Sequence, residues 1–240
     1  MRLAIISDIH GNLTALEAVL ADLRQTSPDL VLHGGDLAHG GSHPAEVVDK
    51  IRELAWPGVC GNTDEILWAP EALTAYAAKA PKLQSLFAAI AEMLPPECAQ
   101  LGEERIAWLK SQPVVQRRGP LALVHAGASD LWRSPMPEST DAEMAEAYAS
   151  LNAAVVVYGH IHRPFIRQLP GMTVANSGSV SMSYDGDPRA SYLLVDDGKP
   201  AIRRVEYDLE REVAALLRSG LPHAEWICRI LRAAGYVPPQ

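Results

Sequence analysis

Seven residues with metal-ligand chemistry stand at five places in the chain: Asp8-Ile9-His10, Gly34-Gly35-Asp36, Gly61-Asn62-Thr63-Asp64, His125 and Gly159-His160-Ile161-His162. The donors are the imidazoles of His10, His125, His160 and His162, the carboxylates of Asp8 and Asp36, and the amide of Asn62. Such a mixed nitrogen and oxygen set suits borderline divalent ions, Mn²⁺ or Fe²⁺ first and Zn²⁺ or Ni²⁺ as alternatives. It is too rich in nitrogen for a typical Mg²⁺ or Ca²⁺ site. Seven protein donors are too many for one open catalytic ion and suit two ions sharing a carboxylate. Two divalent ions, two aspartates and a bridging hydroxide leave a local charge of about +1, an anion trap. Ions roughly 3.5–4 Å apart can clamp a phosphoryl group while an activated water attacks in line.

These residues need elements that bring them together. Leu3–Ile6 is a short apolar run, and Leu13, Leu16, Val19, Leu20 and Leu23 recur at helical spacing behind Asn12, a good N-cap. Asp29–His33 is a second apolar run, and Val47, Val48, Ile51 and Leu54 mark a second amphipathic helix before a short strand-like segment, Gly58–Gly61. Alternating strands and helices predict a mostly parallel sheet with right-handed crossovers. Each ligand motif then falls where a strand stops, and the carboxyl ends of strands are where sites form in α/β sheets. Residues 64–112 differ. They are rich in Ala and Leu, and Pro70, Pro81, Pro95 and Pro96 punctuate what reads as a helical insertion or lid. Strand patterns return at Val114–Arg118, Leu121–His125, Ala154–Tyr158, Thr173–Asn176, Tyr192–Asp196 and Ile202–Tyr207, joined in part by tight turns that predict antiparallel pairing. Two helices, about Asp208–Arg218 and His223–Ala234, close the chain. The expected fold class is α/β, a two-sheet β-sandwich core flanked by helices, in one domain over residues 1–240.

Composition excludes several alternatives. The 240 residues carry 21 Lys and Arg against 29 Asp and Glu, a formal charge of −8, which disfavours stable binding to a polyanionic nucleic acid. No apolar run approaches the ~20 residues of a membrane span, and Ser7-Asp8 stops the first run short of the roughly 7–15 residues of a secretory core. Cys60, Cys98 and Cys228 are too few and too scattered for a disulfide framework. A reduced, cytoplasmic enzyme acting on a small phosphate ester or nucleotide, away from membranes, is the expectation. The apolar faces of the last two helices suit either the domain or a second subunit, so a homo-oligomer stays open.

The ordered set Asp8-x-His10, Gly35-Asp36, Gly61-Asn62-x-Asp64, His125 and Gly159-His160-x-His162 resembles the calcineurin-like metallophosphoesterase superfamily, with Asn176–Val180 and Asp185–Tyr192 extending the likeness. Length and the Gly-Ser-Val segment fit its small bacterial and archaeal phosphodiesterase-like branch. The resemblance implies a four-layer αββα fold. It also implies one ion held by Asp8, His10, Asp36 and His162 and a second by Asp36, Asn62, His125 and His160, with Asp36 bridging. Asp36, Asn62 and His160 are then expected nearest the reacting atoms. Many members carry a His where this chain has Thr63, and that His assists the leaving oxygen. Threonine cannot be a general acid near neutral pH, so good leaving groups and diesters are the expected substrates. The branch also lacks this His.

Other residues are weaker candidates. Asn12, His39 and Arg133 are placed as substrate contacts, although capping explains Asn12 equally well and Arg133 reads as readily as a surface residue. His43 reads as a solvated loop residue. Asp64 is expected to orient the Asn62 loop. Trp68, Tyr76 and Trp132 suit stacking on a base or simple packing. The alternatives to a metal-dependent phosphodiesterase are a phosphomonoesterase, a dinucleoside polyphosphate hydrolase and a non-catalytic interaction scaffold.

Overall fold

Strand β1 (Arg2–Ile6) shows why the first apolar run is continuous. Leu3 and Ile5 point into one buried layer and Ala4 and Ile6 into another, so both faces of the strand are covered. The computed structural model describes residues 1–239. Helix α1 (Leu13–Thr26) follows β1, and β2 (Leu30–His33) then pairs with β1 in parallel, Leu3 opposite Leu30. Helix α2 (Pro44–Glu53) comes next. After a helical segment come β3 (Val115–Arg118), β4 (Leu121–Val124), helix α6 (Asp141–Tyr148), β5 (Val155–Tyr158), β6 (Phe165–Leu169), β7 (Met172–Asn176), β8 (Ala190–Asp196) and β9 (Lys199–Val205). One sheet runs β2-β1-β8-β9 and the other β3-β4-β5-β7-β6.

The sheets face each other through Leu3, Ile5, Leu32, Leu121, Leu123, Val155, Val157, Leu193 and Val195. Outside the first sheet, Ala4 and Ile6 pack against Leu16 and Val19 of α1 and Val47 and Ile51 of α2. Outside the second, Val124, Val156 and Tyr158 pack against Met144 and Tyr148 of α6. The result is a β-sandwich between helical layers, as the alternation of apolar runs and amphipathic helices predicts.

The intervening segment is helical: α3 (Asn62–Glu65), α4 (Glu71–Ala77) and α5 (Gln84–Lys110). Pro95 and Pro96 do not break α5 as expected. Leu94 and Leu101 are buried on either side of them, and this packing outweighs the lost backbone bonds. The break falls at Gly102, whose φ of 69° and ψ of 166° are non-helical. Helices α7 (Leu209–Ser219) and α8 (Ala224–Ala233) close the chain, and Met93 of α5 packs among their apolar residues.

Three further readings are corrected. Gly58–Gly61 forms only one bridge, His33 to Gly58, where a Cβ would fall 2.3 Å from the His33 Cγ, and the Cys60 N–H turns away to the Pro113 carbonyl at 2.9 Å. Strand β6 was not expected, since Arg167-Gln168 dilutes its apolar pattern. The first sheet is not mostly parallel as expected: β8 and β9 join it, β8 antiparallel to β1 and β9 to β8, so only β1 and β2 pair in parallel there.

Candidate metal centre

Loops after β1, β2, β4 and β5 converge with the start of α3, each delivering one motif. Asp8, His10, Asp36, Asn62, His125 and His162 are buried and His160 is half-buried. Ligating atoms of Asp8, His10 and His162 lie within 4.8 Å of one another, as do those of Asp8, Asp36 and His125. Asp8 is common to both groups, and Asp36 reaches an imidazole of each, with Oδ2 3.8 Å from His10 Nε2 and 3.5 Å from His125 Nε2. His162 Nε2 is 3.2 Å from Asp8 Oδ1.

The imidazole orientations test whether a cation fits. Three rings donate Nδ1–H to backbone carbonyls: His10 to His39 (2.6 Å), His125 to Gly34 (2.7 Å) and His162 to Met182 (2.6 Å). Their Nε2 lone pairs therefore face inward. His160 is reversed, with Nε2 on the Trp132 carbonyl at 3.1 Å and Nδ1 inward. Inside, His10 Nε2 meets His162 Nε2 at 3.2 Å, and Asn62 Oδ1 lies 2.9 Å from His125 Nε2 and 2.8 Å from His160 Nδ1. Converging lone pairs at such distances need a cation or a proton between them. Backbone carbonyls holding the outer nitrogens are the usual support of histidine ligands. The seven residues thus fit divalent ions.

Local backbone geometry is forced to achieve this. Asp8, His10, Asp36, His160 and His162 all have left-handed φ, between 49° and 66°. Each such residue costs about 1–2 kcal/mol and persists only where the surroundings hold it. Here Asp8 N–H donates to the Gly35 carbonyl and His10 N–H to the Asp36 carbonyl, both at 3.0 Å. The His160 N–H donates to the Asp8 carboxylate at 3.1 Å. Asp64 ties the second and third loops, accepting from the N–H groups of Asp36 (2.8 Å), Leu37 (3.0 Å) and Gly61 (3.1 Å). Gly61 must be glycine, since a Cβ there would stand 2.0 Å from Asp36 Oδ1.

Charge states follow from burial and neighbours. Burial pulls His10 and His160 down to about 4, with the His162 imidazole adding to the effect on His10 and the His125 imidazole to that on His160. Burial opposes the His125 cation most strongly of any one cause, but the Asp36, Asp8 and Asp64 carboxylates and the Gly34 carbonyl together outweigh it and raise that imidazole. Asp8 and Asp36 resist burial because the imidazoles around them favour the carboxylate, and both lie below the usual range. Asp64 is pushed up to about 6 by burial and by Asp36.

The candidate substrate contacts divide. His39 lines the cavity beside the donors, its Nδ1 2.6 Å from Oε2 of buried Glu97 on α5. Thr63 also lines it, its backbone N–H donating to Asp36 Oδ1 at 2.9 Å and its buried hydroxyl unpartnered. Asn12 does not face it. Both ends of its amide are engaged, Oδ1 capping α1 at Ala15 N–H (2.8 Å) and Nδ2 donating to Ser181 Oγ (3.1 Å). Arg133 is exposed and lines a separate depression with Lys79, Glu65 and Asp130. Trp68 packs in the core, while Tyr76 stacks on Trp132 with ring centres 4.9 Å apart. Sequence reasoning missed Glu97, the Met182 carbonyl and Tyr184, whose ring lies 4.8 Å from that of His162.

Residues 1–198 match the calcineurin-like phosphoesterase superfamily domain, and the chain belongs to that superfamily. An uncharacterized protein of Methanocaldococcus jannaschii is 29% identical over 94% of this chain and 95% of its own length. The phosphodiesterase YfcE of Escherichia coli K12 is 28% identical over 82% of this chain and 88% of its own. Among solved structures, a metallophosphoesterase from Sphaerobacter thermophilus superposes with a TM-score of 0.77 at 26% identity, covering 98% of this chain and 100% of that one. The protein is a metal-binding hydrolase of phosphate esters. No helix among the described residues is long and apolar enough to cross a membrane.

Proposed function

We propose that the protein is a two-metal phosphodiesterase acting on small phosphate diesters with good leaving groups. The observation that carries this reading is the Asp36 carboxylate, whose Oδ2 lies within 4 Å of an inward-facing imidazole of each donor group, His10 and His125. In it, Asp8, His10, Asp36 and His162 hold one ion and Asp36, Asn62, His125 and His160 the other, Mn²⁺ or Fe²⁺ before Zn²⁺ or Ni²⁺. Bound there, the ions neutralise phosphoryl oxygens and acidify water.

The chain's own residues do the rest. Asp64 and the glycine at 61 keep the Asp36 carboxylate in place, and the carbonyls of His39, Gly34 and Met182 keep three imidazoles in the ligand tautomer. In the reaction water adds to phosphorus and gives up a proton to solvent, the bond to the leaving oxygen breaks, and that oxygen departs with the electron pair and is protonated in solvent. Thr63 has no proton to give it near neutral pH, so departure depends on the stability of the free alkoxide or phenolate. His39, its Nδ1 tied to Glu97, presents its remaining ring edge to the phosphate. Residues 1–240 act as one domain, with the helical segment at about 64–112 as a lid.

The test is to strip metal with a chelator, restore Mn²⁺, and compare bis-p-nitrophenyl phosphate with p-nitrophenyl phosphate. Metal-dependent turnover favouring the diester is expected. Preference for the monoester would overturn the diesterase reading and leave a phosphatase.

A further inference from the structure

The donors form only one end of a cavity of about 280 Å³. Beyond His39 and Thr63 its wall is apolar. Leu86, Phe87, Ile90 and Met93 recur along one face of α5, and Ile227 and Ile230 face them from α8. Tyr76, Leu83, Trp132, Met182, Tyr184 and Trp226 line it as well, with Leu83 and Leu86 half-buried at the rim. No lysine or arginine lines it among the described residues. Lys79 and Arg133 line another depression, which meets this cavity at the stacked Tyr76–Trp132 pair and which Glu65 and Asp130 offset, and Arg229 lines a third with Glu225 that meets it at Trp226.

This wall excludes one chemistry and suits another. Chains of phosphates are recognised by arginine forks and lysine ammonium groups, because each further anionic oxygen must be neutralised when it leaves water. A cavity without such groups offers nothing to a second or third phosphate. Apolar surface beside a charged centre instead rewards a substituent that has no charge to desolvate. Helix α8 also lies past residue 198, where the superfamily match ends, so this chain adds part of the wall to the shared domain.

We propose that the substrate is a phosphodiester carrying one uncharged apolar group, which lies between α5 and α8 while its single anionic phosphate meets the metal centre. This rests on the phosphodiesterase reading and specifies its substrate class. Nucleoside polyphosphates are disfavoured by the same wall.

The test uses the Mn²⁺-loaded full chain and two inhibitors with the same phosphonate monoanion, O-methyl and O-hexyl methylphosphonate. Their binding is read by calorimetry and by inhibition of bis-p-nitrophenyl phosphate hydrolysis. A buried methylene changes affinity roughly four-fold. The five extra methylenes of the hexyl ester, even incompletely buried, therefore give an expected preference of at least ten-fold. Leu86→Lys, at the half-buried rim, should shrink that ratio towards one, and Leu83→Lys provides a second rim variant should the first fail to fold. Equal binding of the two esters by the unmodified chain, or tighter binding of diadenosine tetraphosphate than of the hexyl ester, would overturn the proposal. Failure of the diesterase reading looks different: no metal-dependent turnover of the chromogenic diester, while calorimetry still reads the hexyl preference.

Discussion

At the scale of single residues, the centre depends on atoms that are costly to hold and simple to disturb. Asp36→Asn keeps the shape of the side chain proposed to bridge the ions and removes its charge. Metal content and turnover should fall together, turnover by about 100-fold or more, as read by elemental analysis and diester hydrolysis. Thr63→His introduces the missing proton donor beside Asp36. Its expected signature is a shallower dependence of rate on leaving-group pKa, measured with a series of substituted phenyl esters, because protonation relieves the poorer leaving groups most. A different buried imidazole carries a stability prediction. His33 is fully buried, and burial lowers it to about 4. Its folded value lies below the unfolded value of 6.5, so between these limits the unfolded chain binds more protons. Stability is then complete above about 6.5 and is lost as pH falls towards 4. His33→Leu should lessen the drop in urea midpoint between pH 7 and pH 5; an unchanged drop would assign the acid sensitivity to other groups.

At the scale of elements, α5 is wired to the metal centre. Glu97 accepts from Gly40 N–H at 2.7 Å and pairs with His39, whose carbonyl holds His10 at 2.6 Å. Glu97→Gln leaves one of these partners imperfectly met inside the protein, at an expected cost of about 1–3 kcal/mol in denaturant unfolding and with weaker Mn²⁺ binding in calorimetry. Nothing local announced this residue, because its partner stands 58 positions away. The ligand motifs were legible for the opposite reason: four of them gather glycine with aspartate, asparagine or histidine within four residues, and the fifth, His125, directly follows the apolar run Leu121–Val124. Where pattern and packing diverge, legibility ends. Pro95-Pro96 reads as a stop but is overridden by Leu94 and Leu101, and Arg167-Gln168 hides a strand whose pairing with β7 supplies what its apolar pattern lacks. Arg133 reads as a neighbour of His125 in the chain, yet the loop between them turns its side chain to another depression.

At the scale of the whole molecule, the fold stores the strain of five left-handed residues around converging lone pairs. Bound ions relieve the second cost, so metal binding and folding are linked. At about 100 times the dissociation constant, one ion adds about 2.7 kcal/mol. For a chain of this size that corresponds to roughly 5–10 °C. Chelation should lower the calorimetric midpoint by at least this amount, with recovery on adding Mn²⁺; an unmoved midpoint would argue against occupied sites.

The order in which the cavity's parts occur along the chain also sets an order for synthesis. All seven donors have been made once residue 162 is joined, and the carbonyl that holds His162 follows at residue 182. The apolar wall from Trp226 to Ile230 comes last. A growing polypeptide therefore completes the donors proposed to hold metal before the wall proposed to select the substrate.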